Sequence, residues 1–114
     1  MSSLSTHVLD TAHGRPAAGL AVALDFCDGE GSWTELARRT TNADGRIPSL
    51  TAGEAPLEPG IYRLRFETGS YFRSLGVTGF YPEVQILVSL DTSGVHYHIP
   101  LLLSPFGFTT YRGS

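Results

Sequence analysis

The sequence has a single cysteine, Cys27, and therefore cannot form a disulfide bond within the chain. Small secreted domains often depend on several disulfides, so their absence favours a reducing compartment. Residues 1–10 also have neither the basic start nor the apolar stretch of a secretory signal. We therefore expect a cytoplasmic protein. No histidine lies near Cys27 in the sequence, and we interpret it as a packing residue rather than a catalytic thiol.

Basic charge and long apolar runs are scarce as well. Eight Lys and Arg residues face eleven Asp and Glu residues, which gives a net charge of -3 and a pI near 5.7. A chain without a basic stripe cannot neutralise many phosphates, so nucleic acid is excluded as an expected partner. No apolar run approaches the roughly 20 residues that cross a bilayer. We expect no membrane partner either.

The common catalytic templates are missing too. The sequence has no nucleophile elbow, no phosphate-binding glycine loop and no paired carboxylate motif. His96 and His98 could share a metal, but no acidic or cysteine partner lies at ligand spacing, so we expect no metal site. His13 lies in a turn rich in Gly and Pro, where a histidine is usually solvated.

What the chain does have is a series of short β-favouring runs between turn signals, which is typical of an antiparallel all-β sandwich. Its 114 residues suit one domain, spanning 1–114. We predict strands at 4–10, 19–26, 32–41, 46–50, 61–67, 80–90, 95–103 and 106–112, with a Pro- and Gly-containing loop at 51–60. The runs 80–90 and 95–103 are expected to pair with each other across a turn at 91–94.

Alternation within these runs predicts which side chains are buried. In the first run, Ser5 and His7 share one face and Val8 lies on the other. In 61–67 the apolar residues alternate with arginines, which predicts a strand with one wet face. The segment 68–76 is the one candidate helix, with Ser70 as its expected cap and a surface location.

Four polar residues within the predicted strands could belong to a site. His98 and His96 project from the same strand face about 6.6 Å apart. His98 also has apolar neighbours on that face, and such surroundings can move the pKa of a histidine toward working pH. His7 has no charged neighbour in the sequence, and Arg46 follows the tight turn at 42–45. Taken one at a time, these residues establish little.

The last four residues, Tyr111 to Ser114, bring a phenol, a guanidinium, a flexible link and a hydroxyl together. Chain ends usually fray unless something holds them. The preceding stretch 95–110 is apolar and favours β-structure. We therefore expect this stretch to hold the tail against the sheet.

Four segments of the sequence together resemble the transthyretin-like family that includes the 5-hydroxyisourate hydrolases. They are THVLDTAHGRPAAGLAVAL at 6–24, TNADGRI at 41–47, HYHIPLLLSP at 96–105 and TTYRGS at 109–114. The resemblance implies a prealbumin-like Greek-key β-sandwich of two four-stranded sheets with one short helix. It also implies a homotetramer, assembled as a dimer of dimers, with its active sites between the dimers.

The resemblance further implies an enzyme of purine metabolism, which hydrolyses 5-hydroxyisourate to 2-oxo-4-hydroxy-4-carboxy-5-ureidoimidazoline during urate degradation, without a cofactor. The catalytic residues that it implies are His7, Arg46, His98 and Ser114. The substrate-binding residues that it implies are His7, Arg46, Tyr111, Arg112 and Gly113. Imidazoles would move protons, and guanidinium groups would hold carbonyl oxygens. The sequence leaves open which histidine is the general base and whether Ser114 acts covalently.

A transthyretin-like carrier of small ligands of the thyroid hormone type is the alternative. Such carriers resemble the chain in their strands and in the LLSP turn, but they lack counterparts of His7, Arg46, His98 and the YRGS ending. This comparison favours the enzyme. Phe106 and Phe108 stand where many family members have tyrosines. This difference puts in doubt only contacts that a tyrosine hydroxyl would make. A scaffold without a small-molecule site is a third class, and it predicts a monomer.

Overall fold

Two β-sheets enclose one hydrophobic core in the computed structural model, which describes residues 3–51, 57–91 and 95–113. One sheet has the strand order β2-β1-β8-β9, with β5 also paired to β1, and the other has the order β4-β3-β6-β7. The elements are β1 (Ser3–Asp10), β2 (Arg15–Pro16), β3 (Ala21–Cys27), β4 (Trp33–Thr40), β5 (Arg46–Ile47), β6 (Gly60–Phe66), α1 (Thr68–Ser74), β7 (Val84–Leu90), β8 (His96–Ser104) and β9 (Gly107–Thr110).

This architecture confirms the predicted β-sandwich with one short helix. The first sheet reaches five strands because two of them, β2 and β5, are two-residue segments that pair with β1. Part of the expected loop at 51–60 falls on 52–56, and part of the expected turn at 91–94 falls on 92–94. Both of these segments lie outside the described residues.

The expected pairing of 80–90 with 95–103 is wrong. β7 pairs with β6, whereas β8 pairs with β1 and β9 in the other sheet. The two runs follow each other in the chain, but the connection between them crosses from one sheet to the other. The ladder between β1 and β8 is parallel, while the other ladders in the described part of the chain are antiparallel.

Alternation along the strands separates the core from the outer faces, as predicted. In β1, Leu4 and Val8 are fully buried and His7 is half-buried. In β6 the buried residues Tyr62, Leu64 and Phe66 alternate with partly exposed arginines. Both strands contribute to a single core cluster.

The helix α1 begins at Thr68 and has no side-chain hydrogen bond at its cap, so the prediction that Ser70 caps it is wrong. Ser70 is the third residue of the helix, and the helix packs Tyr71 and Phe72 into the core rather than lying only on the surface. The Tyr71 hydroxyl donates to Asp10 Oδ2 at 2.7 Å, which ties the helix to β1. Burial and the negative charge of Asp10 raise the pKa of Tyr71 to about 12, so the phenol keeps this donor proton. α1 has seven residues, and no described helix is long and apolar enough to cross a membrane.

A cluster of charged side chains joins β3 to β6 in the second sheet. Asp25 on β3 is only 1% exposed and accepts hydrogen bonds from Arg63 Nε at 2.8 Å and from Arg65 Nε at 2.6 Å. Burial by itself raises the pKa of Asp25, but the hydrogen bonds and positive charges of the two arginines outweigh that effect and lower it below its usual range. The carboxylate therefore stabilises the fold only while it is ionised.

We expect Asp25→Asn to reduce the free energy of unfolding by about 2 kcal/mol at neutral pH, because hydrogen bonds to an ionised acceptor are lost. A lowered pKa in the folded state means that this stabilisation is present above the unfolded pKa of about 4 and is lost as the pH falls through the folded value. Urea unfolding of both proteins at pH 7 and at decreasing acid pH measures the difference. The matched control is Glu30→Gln, which removes an exposed carboxylate. A difference that stays constant down to acid pH would contradict the role assigned to Asp25.

Candidate active site

Three strands bring the predicted histidines and Arg46 to one outer sheet face. His7 lies opposite Arg46 in the antiparallel pairing of β1 with β5. Ser5 lies beside His98 in the parallel pairing of β1 with β8. Ser5 and His7 are two residues apart on β1 and therefore point to the same side. Residues far apart in the sequence thus meet because β1 lies between β5 and β8.

The turn before β5 determines where Arg46 lies. Asn42 Oδ1 accepts the backbone N–H groups of Asp44 at 2.9 Å and Arg46 at 3.0 Å, and the Gly45 carbonyl accepts the N–H of Val8 at 2.8 Å. Gly45 has a φ of 73°, and a Cβ there would lie 2.5 Å from the Val8 carbonyl oxygen. Only glycine fits this position, so the turn is held against β1 with Arg46 next to His7.

A cavity of about 290 Å³ opens on this face. Its lining residues are Ser5, Thr6, Arg46, Pro48, His96 and His98. His7 lies next to it, and its Nε2 donates to the Asp44 carbonyl oxygen at 2.9 Å. Because a carbonyl oxygen can only accept, Nε2 carries the ring proton and, in the neutral ring, Nδ1 carries the lone pair.

His98 has the surroundings of a proton acceptor. Burial lowers the pKa of His98, and the positive charges of Arg46, His7 and His96 lower it further. Its Nδ1 lies 2.8 Å from Ser5 Oγ, while Nε2 has no hydrogen-bond partner among the described residues. The ring is therefore held through one nitrogen, is largely neutral near pH 7, and has its second nitrogen available to the cavity.

The chain end is built onto the same strand, as predicted, up to Gly113. The N–H of Gly113 donates to the His98 carbonyl oxygen at 2.8 Å. A Cβ on Gly113 would lie 2.6 Å from His98 Cδ2 and 3.3 Å from Pro100 Cγ. The tail thus needs glycine because it packs directly against the imidazole ring. Ser114 lies outside the described residues, so its catalytic role stays a prediction.

Tyr111 and Arg112 lie apart from this cavity within one chain. The Arg112 guanidinium carbon is 4.8 Å from the ring centroid of Tyr97, which is buried on the opposite face of β8 from His98. Both tail residues line a second cavity of about 290 Å³ together with residues of β7. The structure therefore brings together His7, Arg46, His98 and the backbone of Gly113. It does not bring Tyr111 and Arg112 to them.

Two features of the site were not assigned from the sequence. Ser5 binds His98, and alternation along β1 already placed it on the face of His7, but only the strand register shows its partner. Pro48 completes the cavity wall just after β5. The polar donors at the cavity are imidazole, guanidinium and hydroxyl groups. Among residues 3–51, 57–91 and 95–113, no group of three or more His, Cys, Asp or Glu side chains could hold a metal ion.

Comparisons with known proteins match nearly the whole chain and its fold. A family model described as the HIUase/Transthyretin family matches residues 4–113. A relative from Schizosaccharomyces pombe, named "Probable 5-hydroxyisourate hydrolase", is 50% identical over 98% of this chain and 91% of its own length. The solved structure of Klebsiella pneumoniae 5-hydroxyisourate hydrolase superposes with a TM-score of 0.85 at 42% identity, covering 98% of this chain and 99% of that one. Sea bream transthyretin in complex with thyroxine superposes with a TM-score of 0.87 at 34% identity, covering 96% and 93%.

We expect Gly113→Ala to reduce the free energy of unfolding by about 2 kcal/mol, because the added methyl group overlaps the His98 ring. The severe overlap is with that ring, and only the tight contact of 3.3 Å with Pro100 Cγ remains without it, so the same substitution in a His98→Ala background should cost less. A double-mutant cycle from urea unfolding of the four proteins measures this coupling. Equal costs in both backgrounds would show that the tail does not pack against His98.

Proposed function

The chain belongs to the HIUase/Transthyretin family, and from this we propose that it hydrolyses 5-hydroxyisourate to 2-oxo-4-hydroxy-4-carboxy-5-ureidoimidazoline in urate degradation. The observation that carries the proposal is the position of His7, Arg46 and His98 around one cavity. Relatives named as this enzyme, 50% and 42% identical over nearly the whole chain, support it.

The reaction opens a ring by breaking a lactam-type C–N bond. It needs a water made nucleophilic, stabilisation of the negative charge that develops on the carbonyl oxygen, and a proton for the departing nitrogen. We assign the first proton transfer to His98, because its pKa is lowered and its Nε2 is available. Nε2 removes a proton from the attacking water, and the resulting imidazolium returns it to the departing nitrogen.

Arg46 supplies the stabilising charge. Its guanidinium group stays protonated at all working pH values and offers donors in a fixed planar fork, which suits the developing oxyanion and the neighbouring carbonyl groups of a urate-like ring. The turn at 42–45 holds the Arg46 backbone in place before substrate binds, so little reorganisation is needed. His7 has Nδ1 available to accept a hydrogen bond from a substrate N–H group or from water.

We propose that the active protein is a homotetramer built as a dimer of dimers, in which residues 1–114 form one domain. β7 and β9 are edge strands, each paired on one side only in the described structure, and unpaired strand edges are sites of chain association. Leu87 on β7 is 64% exposed, and Phe106 just before β9 is 72% exposed. Large exposed apolar groups of this kind are typical of interfaces.

The proposed tetramer also affects where the residues of the C-terminal tail, 111–114, lie relative to a substrate. Tyr111, Arg112 and Ser114 remain part of the proposed binding and catalytic set, and packing of chains against one another is what would bring Tyr111 and Arg112 to a substrate. We propose a cytoplasmic location, which the free and only cysteine, Cys27, supports.

The carrier remains the alternative function, because sea bream transthyretin shares the fold at a TM-score of 0.87 and was solved with thyroxine. Shared fold cannot separate an enzyme from a carrier. The histidine and arginine side chains at the cavity favour the enzyme, because a hydrophobic hormone does not require a proton acceptor beside a guanidinium group.

We expect His7→Ala, Arg46→Ala and His98→Ala each to lower kcat at least about 100-fold, because each removes a proton-transfer or charge-stabilising group. The measurement is the ultraviolet decay of 5-hydroxyisourate generated in place by urate oxidase. His13→Ala is the matched control, since His13 binds Asp10 away from the cavity. Wild-type rates in all three variants would contradict the assignment of these residues to the active site. Tight binding of an iodinated phenol, with no acceleration of the decay, would establish the carrier instead.

We expect sedimentation of the native protein to give a mass about four times the 12.3 kDa of one chain. The Leu87→Glu variant should dissociate, because it places a charge on the exposed edge strand. Leu36→Glu is the matched control, since Leu36 is an exposed leucine on β4, away from β7. A wild-type protein that sediments as a monomer would contradict the proposed assembly.

A further inference from the structure

Two serines and two histidines form a continuous hydrogen-bonded row on the outer face of β1 and β8. Ser3 Oγ lies 2.6 Å from His96 Nδ1, His96 Nε2 lies 2.9 Å from Ser5 Oγ, and Ser5 Oγ lies 2.8 Å from His98 Nδ1. The parallel register explains the row, because it pairs Ser3 with His96 and Ser5 with His98. Ser5 therefore bridges the two imidazoles.

The single hydroxyl proton of Ser5 couples the proton positions on the two rings. If Ser5 donates to His98 Nδ1, the neutral His98 ring carries its proton on Nε2, and Ser5 accepts from His96 Nε2–H. If Ser5 donates to His96 Nε2, both neutral rings carry their protons on Nδ1. In both of these arrangements Ser5 donates to one ring and accepts from the other, so the rings are protonated on the same kind of nitrogen. Acceptance from both rings would give opposite kinds and would leave the hydroxyl proton no path to either ring.

The two ends of the bridge differ in their exposure to solvent. His98 is half-buried, and the groups that act on it are Arg46 from β5, His7 from β1 and His96 from its own strand, all of which disfavour a positive charge. His96 is exposed to solvent, and Ser5 between them is 7% exposed. A positive charge is therefore better solvated on His96 than on His98.

We propose that Ser5 passes a proton between His98 and His96 during catalysis, so that the exposed His96 holds the positive charge that hydrolysis creates at the half-buried His98. The inference rests on the proposed hydrolytic function. Ser5 and His96 act through His98 as positioning residues, since neither is assigned a contact with the reacting atoms.

The transfer balances in protons and charge. His98 starts with its proton on Nδ1 and takes a second proton from water on Nε2. The Nδ1 proton then moves to Ser5 Oγ as the Ser5 hydroxyl proton moves to His96 Nε2. His96 becomes the imidazolium, with its Nδ1–H donated to Ser3 Oγ, and His98 is neutral with its proton on Nε2. The reverse transfer restores the His98 imidazolium, which protonates the departing nitrogen.

Other groups at the site cannot exchange a proton with His98 in this way. Arg46 is permanently protonated. His7 donates its Nε2 proton to the Asp44 carbonyl oxygen, and no hydrogen bond among the described residues joins it to His98. Gly113 contributes only backbone next to the His98 ring. In the described structure, Ser5 is the one side chain hydrogen-bonded to His98.

The first test reads the proton positions without any substrate. In ¹⁵N-labelled wild-type protein, at a pH high enough for both rings to be neutral, ¹⁵N chemical shifts should show His96 and His98 both protonated on Nδ1, which is the arrangement that leaves His98 Nε2 free to accept a proton. Ser5→Ala should remove this coupling, and Ser5→Thr, which keeps a hydroxyl, should preserve it. Opposite tautomers on the two rings of the wild-type protein would overturn the proposal, whether or not the protein proves to be the hydrolase.

The second test uses turnover of 5-hydroxyisourate. Ser5→Ala and His96→Gln should each lower kcat about tenfold, with KM changed less than about twofold, and Ser5→Thr should recover most of the loss. Because the charge of His96 lowers the pKa of His98, His96→Gln should also move the acid limb of kcat/KM to higher pH. Ser70→Ala and His13→Gln are the matched controls, and both should leave rates and pH profile unchanged.

Two kinetic results would overturn the proposal. A wild-type kcat in His96→Gln would show that His96 receives no proton, and a loss in Ser5→Ala that Ser5→Thr does not recover would show that the hydroxyl is not what matters. A wild-type protein that fails to hydrolyse 5-hydroxyisourate would instead contradict the proposed function. The tautomer measurement would still decide whether Ser5 couples the two rings.

Discussion

The parallel pairing of β1 with β8 is the constraint on which the site depends. It sets Ser5 beside His98, while β5 on the other side of β1 sets Arg46 opposite His7. Side chains alternate between the faces of a strand, so a slip of one residue in β1 would turn His7 and Ser5 into the core and Leu4 and Val8 outward. The burial of the apolar residues of β1 therefore determines the chemistry on the opposite face.

The outer face is polar, and its buried side-chain nitrogens and oxygens in the described part of the chain are hydrogen-bonded, while the half-buried His98 remains neutral. Every buried side-chain nitrogen or oxygen in the described part of the chain has a hydrogen-bond partner. His98 is held by Ser5, and its pKa is lowered by burial and by positive neighbours. The same arrangement that disfavours charge on His98 makes the ring a proton acceptor near neutral pH.

Local patterns in the sequence predicted the strands, the single helix and the faces on which His7 and His98 lie, because these depend on residues close together in the chain. They did not predict which strands pair. The expected hairpin of 80–90 with 95–103 was wrong because alternation specifies a strand's faces but not its neighbour. The role of Ser5 depends on that same long-range register. The functions expected of the site residues came from the resemblance to the family. The structure shows in addition that Arg112 lies apart from His98, beside Tyr97.

The central claim is that one cavity, bounded by Arg46 and His98, holds a urate-like ring for hydrolysis. A crystal structure of the assembled protein with a non-hydrolysable purine analogue tests it most directly. The account predicts a ring carbonyl within hydrogen-bond distance of the Arg46 guanidinium and the reacting carbon facing His98 Nε2. An analogue bound only in the second cavity, beside Tyr97 and β7, would contradict it.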